Sequence, residues 1–190
     1  MIAGVSAQDG ISGYLKCWIS QGANIVTAYI GEGSSKSFTS NWTSPFESDA
    51  AGKAAGLEKG AGLLQAGTGL TTIGQMNSLM VWEGTTPPPI NLTLYLQAYA
   101  DPKREVHDAI MLLESFASPE LNTVAGGQTP KTVAIDLGRR LKFPSMVVLE
   151  VVSELDQPRD SRGYMTRNTV QLTLSPPMML NASEIPGIYF

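Results

Sequence analysis

A chain of 190 residues can hold one domain with a real core, or one domain plus an arm. It is 43% hydrophobic and only 16% charged, against about a quarter charged in an ordinary globular chain, so uncharged polar residues make up a surface that is cheap to desolvate against another protein. A net charge of −4 and a sequence pI of about 5.0 disfavour a phosphate-backbone partner, and no apolar run reaches the ~20 residues that span a bilayer, so a membrane partner is disfavoured too.

The opening Met1-Ile2-Ala3-Gly4-Val5-Ser6 has no basic region followed by a long apolar run, so no signal peptide is expected. The single cysteine excludes an internal disulfide and fits a reducing compartment. The sequons at Asn41, Asn91 and Asn181 therefore carry no expected role. Tyr14–Ser20 alternates as a strand, with Leu15, Cys17 and Ile19 on one face and Tyr14, Lys16 and Trp18 on the other. Cys17 reads as a small core hydrophobe rather than a nucleophile. Ser20-Gln21-Gly22-Ala23 reads as a turn, and Asn24–Ile30 alternates again, so the pair predicts a hairpin.

Gly31–Ser37 reads as a flexible loop. It faintly suggests a phosphate loop but lacks Gly directly before Lys36, and Gly67-x-Gly69 has no strand before it. Phe38, Trp42 and Phe46 add aromatic anchors around Ser44-Pro45. Asp49–Ile73 is rich in Ala, Gly and Leu. Ala50, Ala54, Leu57, Ala61 and Leu64 follow helical seam spacing, and Gly52, Gly56 and Gly60 form a second, smooth stripe. Each glycine costs a helix about 1 kcal/mol relative to Ala, so such a helix needs a partner; a disordered linker is the other reading.

Trp82-Glu83-Gly84 followed by Pro87-Pro88-Pro89 reads as a turn and a break. Asn91–Ala100 alternates, with Leu92, Leu94, Leu96, Ala98 and Ala100 on the buried face. Asp101-Pro102 then starts a helix, Val106, Ala109, Ile110, Leu113 and Ala117 share its inner face, and Ser118-Pro119 stops it. A loop at Gly126-Gly127 precedes a strand at Thr132–Leu137. Met146–Val152 is nearly all apolar and predicts a central or doubly covered strand. Leu155–Gly163 reads as a hairpin loop, and Thr169–Ser175 alternates with Val170, Leu172 and Leu174 inward. Pro176-Pro177 ends it, and an apolar tail follows.

Reactive chemistry has little to rest on. His107 is the only histidine and falls on the expected solvent side of the helix, so neither a metal set nor a Ser-His-Asp group is supported. Glu150, Glu154 and Asp156 read as solvated charges. Arg139-Arg140-x-Lys142 reads as the edge of a strand. No catalytic, cofactor-binding or metal-binding residue is assigned, and the chain is not expected to be an enzyme. Trp18, Trp42 and Tyr29 could line a carbohydrate cleft if the protein were a soluble ligand-binding module.

Three blocks carry a resemblance: Met80-x-Trp82-Glu83-Gly84; Leu92-x-Leu94-x-Leu96-x-Ala98-x-Ala100-Asp101-Pro102 with a helix closed by Ala117-Ser118-Pro119; and Pro144-x-Met146-Val147-Val148-Leu149, then Gly163 and Val170-x-Leu172-x-Leu174. Over Trp82 to Leu174 the chain resembles tail proteins of contractile-tailed bacteriophages, which connect tube, sheath and hub at the baseplate. The resemblance implies a structural subunit in the virion tail, assembled in the host cytoplasm. Its implied partners are further copies of itself, in a ring expected to be hexameric, and the tube, sheath and baseplate hub proteins. It also implies a single tube-like β domain over residues 1–190. The residues themselves predict an α+β, mainly β fold: an antiparallel β-sandwich or partly closed barrel, with one packed helix at Pro102–Phe116 and a Gly/Ala-rich arm at Glu47–Met80.

Overall fold

The computed structural model describes residues 1–43, 80–122 and 128–189. Strands β1 (Ile2–Gly4), β2 (Lys16–Gln21) and β3 (Asn24–Ile30) open the chain. Gln21 pairs with Asn24, leaving Gly22-Ala23 as a two-residue hairpin turn. Gly22 takes φ +58°, the left-handed conformation that such a turn demands. Cys17 and Ile19 face Ala28 and Val26 across the hairpin, and all four are buried.

The first strand begins two residues later than alternation predicts. Gly13–Leu15 is a single 3-10 turn, and the Ser12 hydroxyl accepts the Tyr14 amide at 3.3 Å. A serine that bonds its own backbone offers the chain an alternative to the ladder. Leu15 therefore leaves the inward row and is 59% exposed, whereas Lys16 is buried. The loop after β3 is also more fixed than its composition suggests. The Gly31 amide donates to Thr93 O at 2.7 Å, Ser34 Oγ accepts the Thr93 amide at 3.1 Å, and a short strand β4 (Ser35–Lys36) follows.

The remaining long strands are β7 (Ile90–Gln97), β8 (Val133–Leu137), β9 (Leu141–Ser153) and β10 (Arg167–Ser175). They pair in the order β3-β2-β8-β9-β10-β7, and β7 returns to β3 through Tyr95 opposite Tyr29 and Leu94 opposite Ile30. The result is a closed six-stranded antiparallel barrel with one helix, an α+β fold that is mainly β. It is the barrel, not the sandwich. β1 runs parallel to β3 on the edge that β7 leaves open, and β4 pairs with the start of β7. Closure needs strong local bending, and β9 supplies it. Its register shifts once against β8, between Val133 and Ile135, and once against β10, between Thr173 and Leu174. Bulges of this kind bend a strand and raise its twist, and Pro144 sits in the first of them. Leu92, Leu94 and Leu96 of β7 and Val170, Leu172 and Leu174 of β10 fill the interior as their alternation predicts.

β7 ends at Gln97 rather than at Ala100. The amides of Tyr99, Ala100 and Asp101 turn instead to Glu105 Oε2, at 2.6, 2.9 and 3.2 Å. Asp101 Oδ1 accepts the Lys103 amide at 3.3 Å, so Asp101 caps the helix as expected. The helix begins as a π turn, Lys103–His107, and continues as α1 (Asp108–Ala117), which Ser118 ends in an extended conformation. Val106, Ala109 and Leu113 are buried as predicted, but so are Leu112 and Phe116, while Ile110 and Ala117 are only partly buried. The buried face follows how the helix lies on β1, β3 and β9, which spacing along the helix does not specify. Asp101→Ala should cost about 1 kcal/mol by loss of one cap. Glu105→Gln should cost about 1.5–3 kcal/mol, because a buried charged acceptor of three amides becomes neutral. Urea unfolding of the two variants checks that order.

Residues 39–86 form a second compact unit. In its described part, β5 (Ser40–Thr43) pairs antiparallel with β6 (Val81–Thr85), Trp42 opposite Trp82. Trp82-Glu83-Gly84 is thus strand and not a breaking turn. Glu83 is the extra residue of a bulge, and Gly84 takes φ +141° beside it, so the glycine bends the strand without ending it. The arm read at Glu47–Met80 lies outside the described residues apart from Met80, as do Ser44-Pro45, Phe46 and Gly126-Gly127.

Candidate functional site

The structure does not gather the residues singled out from sequence. His107 is exposed, and its ring packs 5.4 Å from that of Tyr164. Cys17 is fully buried; burial pushes its thiol up, and the Asp136 carboxylate adds to that, so it holds its proton and is no nucleophile. Glu150, Glu154 and Asp156 are exposed. Trp18 is half-buried under the Arg139 guanidinium, 4.9 Å above its ring. Trp42 belongs to the ribbon. Of the three aromatic residues considered for a carbohydrate cleft, only Tyr29 lines a cavity on the barrel. Arg139 and Arg140 form the β8–β9 turn, and Lys142 lies 3.8 Å from Asp136 on the paired strand, a strand-edge placement as read.

A cluster that alternation misses lies beside Tyr29. Lys16 Nζ contacts Asp9 Oδ1 at 2.7 Å and donates to Ser6 O at 2.9 Å, and both charged side chains are about 5% exposed or less. Tyr29 donates its hydroxyl proton to the other oxygen of Asp9. Burial alone would raise the Asp9 carboxyl, but the bonds from Lys16, Tyr29 and the Ile11 amide outweigh it and hold the carboxyl below its ordinary value. The Tyr29 hydroxyl is pushed up, by burial first and by Asp9 second. This cluster ties the loop between β1 and β2 to the outside of the barrel. A lysine on the outer row of a strand reads as solvated, and nothing local marks Asp9 as its partner.

Two open cavities lie on the barrel unit. One, of about 560 Å³, runs between that loop and β7–β10. Tyr29 and Tyr95 form its walls, Ile11 and Leu15 its upper edge, and Gln97 and Arg167 its polar end. The other, of about 340 Å³, sits at the mouth of the barrel where β3 and β8 finish and β7 and β9 begin. Both are suited to hold a ligand or a side chain. Among the described residues lining them, neither places an acid, base or nucleophile in hydrogen-bonding range of another.

The outer surface of the barrel is the third candidate. Met146–Val152 reads as a strand covered twice, yet Leu149 is 60% and Val152 47% exposed. The core and the helix α1 pack against β9 and, among the described residues, leave these two side chains exposed. Among the described residues, no strand pairs with the edge of Val147–Ser153 opposite β10. The neighbouring outer positions are mostly uncharged, Thr169, Gln171 and Thr173 on β10 and Thr93, Tyr95 and Gln97 on β7, with Glu150 opposite Thr173 and Arg167 opposite Gln97 as the charged exceptions. Among the described residues no helix is long and apolar enough to cross a membrane. Compared with known families and curated proteins, the chain matches no family model and no curated sequence.

Proposed function

We propose that this protein is a structural subunit of a contractile phage tail, joining tube or sheath to the baseplate hub through a ring of copies of itself. The observation that carries the reading is the exposure of Leu149 and Val152 on the outer face of β9, beside an edge that no described strand pairs. A nearly all-apolar strand that the described residues leave half-covered suits an interface, because apolar side chains gain when a second surface removes them from water. The rows beside it are mostly uncharged, and Glu150 and Arg167 give the face one charge of each sign to match against a partner surface. The family resemblance gives this interface its setting.

Leu149→Glu combined with Val152→Glu tests it. Both side chains are exposed, so each change should alter monomer stability by less than about 0.5 kcal/mol. Wild type should run as a ring or larger assembly in native mass spectrometry, and the double variant should run as a folded monomer. A wild-type chain that stays monomeric at all concentrations, with its particle assembling normally from the double variant, would sink the proposal. The cavity walled by Tyr29 and Tyr95 favours a second reading, a carbohydrate-binding module, for which a ligand-binding wild-type monomer would be the sign.

A further inference from the structure

The pocket at the barrel mouth has a composition that selects a ligand class. Its walls are Ile30, Ile90, Leu92, Leu137, Leu141 and Phe143. These are the inward residues of four strands at the end where the barrel core meets solvent. Lys36 and Arg140 stand among the lining residues, and no acidic residue does, in a chain whose net charge is −4. The Lys36 ammonium donates to Tyr189 Oη at 2.7 Å and lies 4.8 Å from that ring's centre. An ammonium has three donors, so this bond orients the group without using it up. Among the described residues no carboxylate stands in ion-pair range of Lys36. The Arg140 guanidinium is held over the Tyr14 ring at 5.6 Å. Both cations are thus positioned by aromatic side chains, at the rim of an aliphatic cavity.

We infer that the barrel mouth binds an amphipathic anion: an unbranched acyl chain in the pocket, with its carboxylate at Lys36 and Arg140. The cavity of about 340 Å³ is at the small end of ligand sites, which run from about 300 to 1,000 Å³. A small pocket walled mainly by branched aliphatic side chains, with Phe143 among them, takes a flexible chain more readily than a ring system. Charge-assisted hydrogen bonds from two cations favour a carboxylate over an uncharged head group. The inference does not rest on the assembly reading, since the mouth and the outer face of β9 are different surfaces.

Calorimetric titration of the full chain with decanoate, decanol and acetate tests it, with methyl NMR to place the site. Decanoate should bind and shift the methyl signals of Ile30, Leu92 and Leu141. Decanol should bind at least about tenfold more weakly, and acetate should not bind measurably. Lys36→Gln with Arg140→Gln should reduce decanoate affinity by about tenfold or more while leaving decanol affinity unchanged. Both side chains are at the surface, so the double variant is expected to fold. Leu141→Trp, which fills the pocket, should abolish binding of both ligands. Equal affinity for decanoate and decanol, an unchanged double variant, or methyl shifts at Ile11 and Leu15 instead of the mouth would each overturn the inference.

Discussion

Phe116→Ala is expected to destabilise the protein by about 3–5 kcal/mol, the range for losing a buried aromatic side chain. Phe116 is the largest fully buried side chain and sits on the last turn of α1. The cost has two parts, the lost transfer free energy of the ring and the cavity left between helix and sheet. Leu113→Ala, one turn earlier and equally enclosed, should cost about 2–5 kcal/mol. Met111→Ala supplies the contrast. Met111 shares the helix but is 47% exposed, so its loss should stay within about 0.5 kcal/mol. Urea denaturation of the three variants decides whether the helix is docked as described. Equal and small effects would mean that it is not.

Lys16→Met is the second large effect, expected at about 3–5 kcal/mol, because it leaves the Asp9 carboxylate buried without its cation. Lys16→Met with Asp9→Leu should recover much of that loss, since no unpaired charge remains. The same pair sets an acid limit. The Asp9 carboxyl is held below its ordinary value in the folded state. Its contribution is therefore fully present above the unfolded value, about 3.9, and is lost as pH falls through the lower folded-state value. Wild-type stability should drop across that acid window, whereas the double variant should lose less. Urea midpoints measured from neutral pH down to about pH 3 read this directly. A double variant as unstable as Lys16→Met alone would show that the residues matter for packing rather than charge.

The helix and the pair illustrate two different limits of reading the chain. Asp101-Pro102 and Ser118-Pro119 bound the helix correctly, because capping and proline chemistry are local. Phe116 was missing from the predicted inner face, because that face is chosen by the sheet beneath it. Lys16 was misplaced for the same reason: its burial depends on a loop that returns seven residues away in sequence and lays Asp9 against it. Of the three aromatics weighed for a carbohydrate cleft, Tyr29 lines a cavity and Trp18 stacks under Arg139, and a cavity is a property of distances that spacing along a chain does not contain.

What the sequence determined by itself is the set of short-range decisions: β2–β3 as a hairpin around Gly22, the inward rows of β7 and β10, the helix ends, and a mainly β fold. Each follows from periodicity, capping or turn chemistry within a few residues. What the tertiary structure decided is everything that needed two distant segments to meet. Barrel rather than sandwich was settled by the return of β7 to β3; of the two bulges of β9 that permit it, one lies at Pro144 ahead of the strand read at Met146–Val152 and the other inside it. The exposure of Leu149 and Val152 was settled there too. An apolar run does not record which of its side chains a neighbour will cover, because that depends on which distant elements meet it, and in this fold Leu149 and Val152 stay exposed.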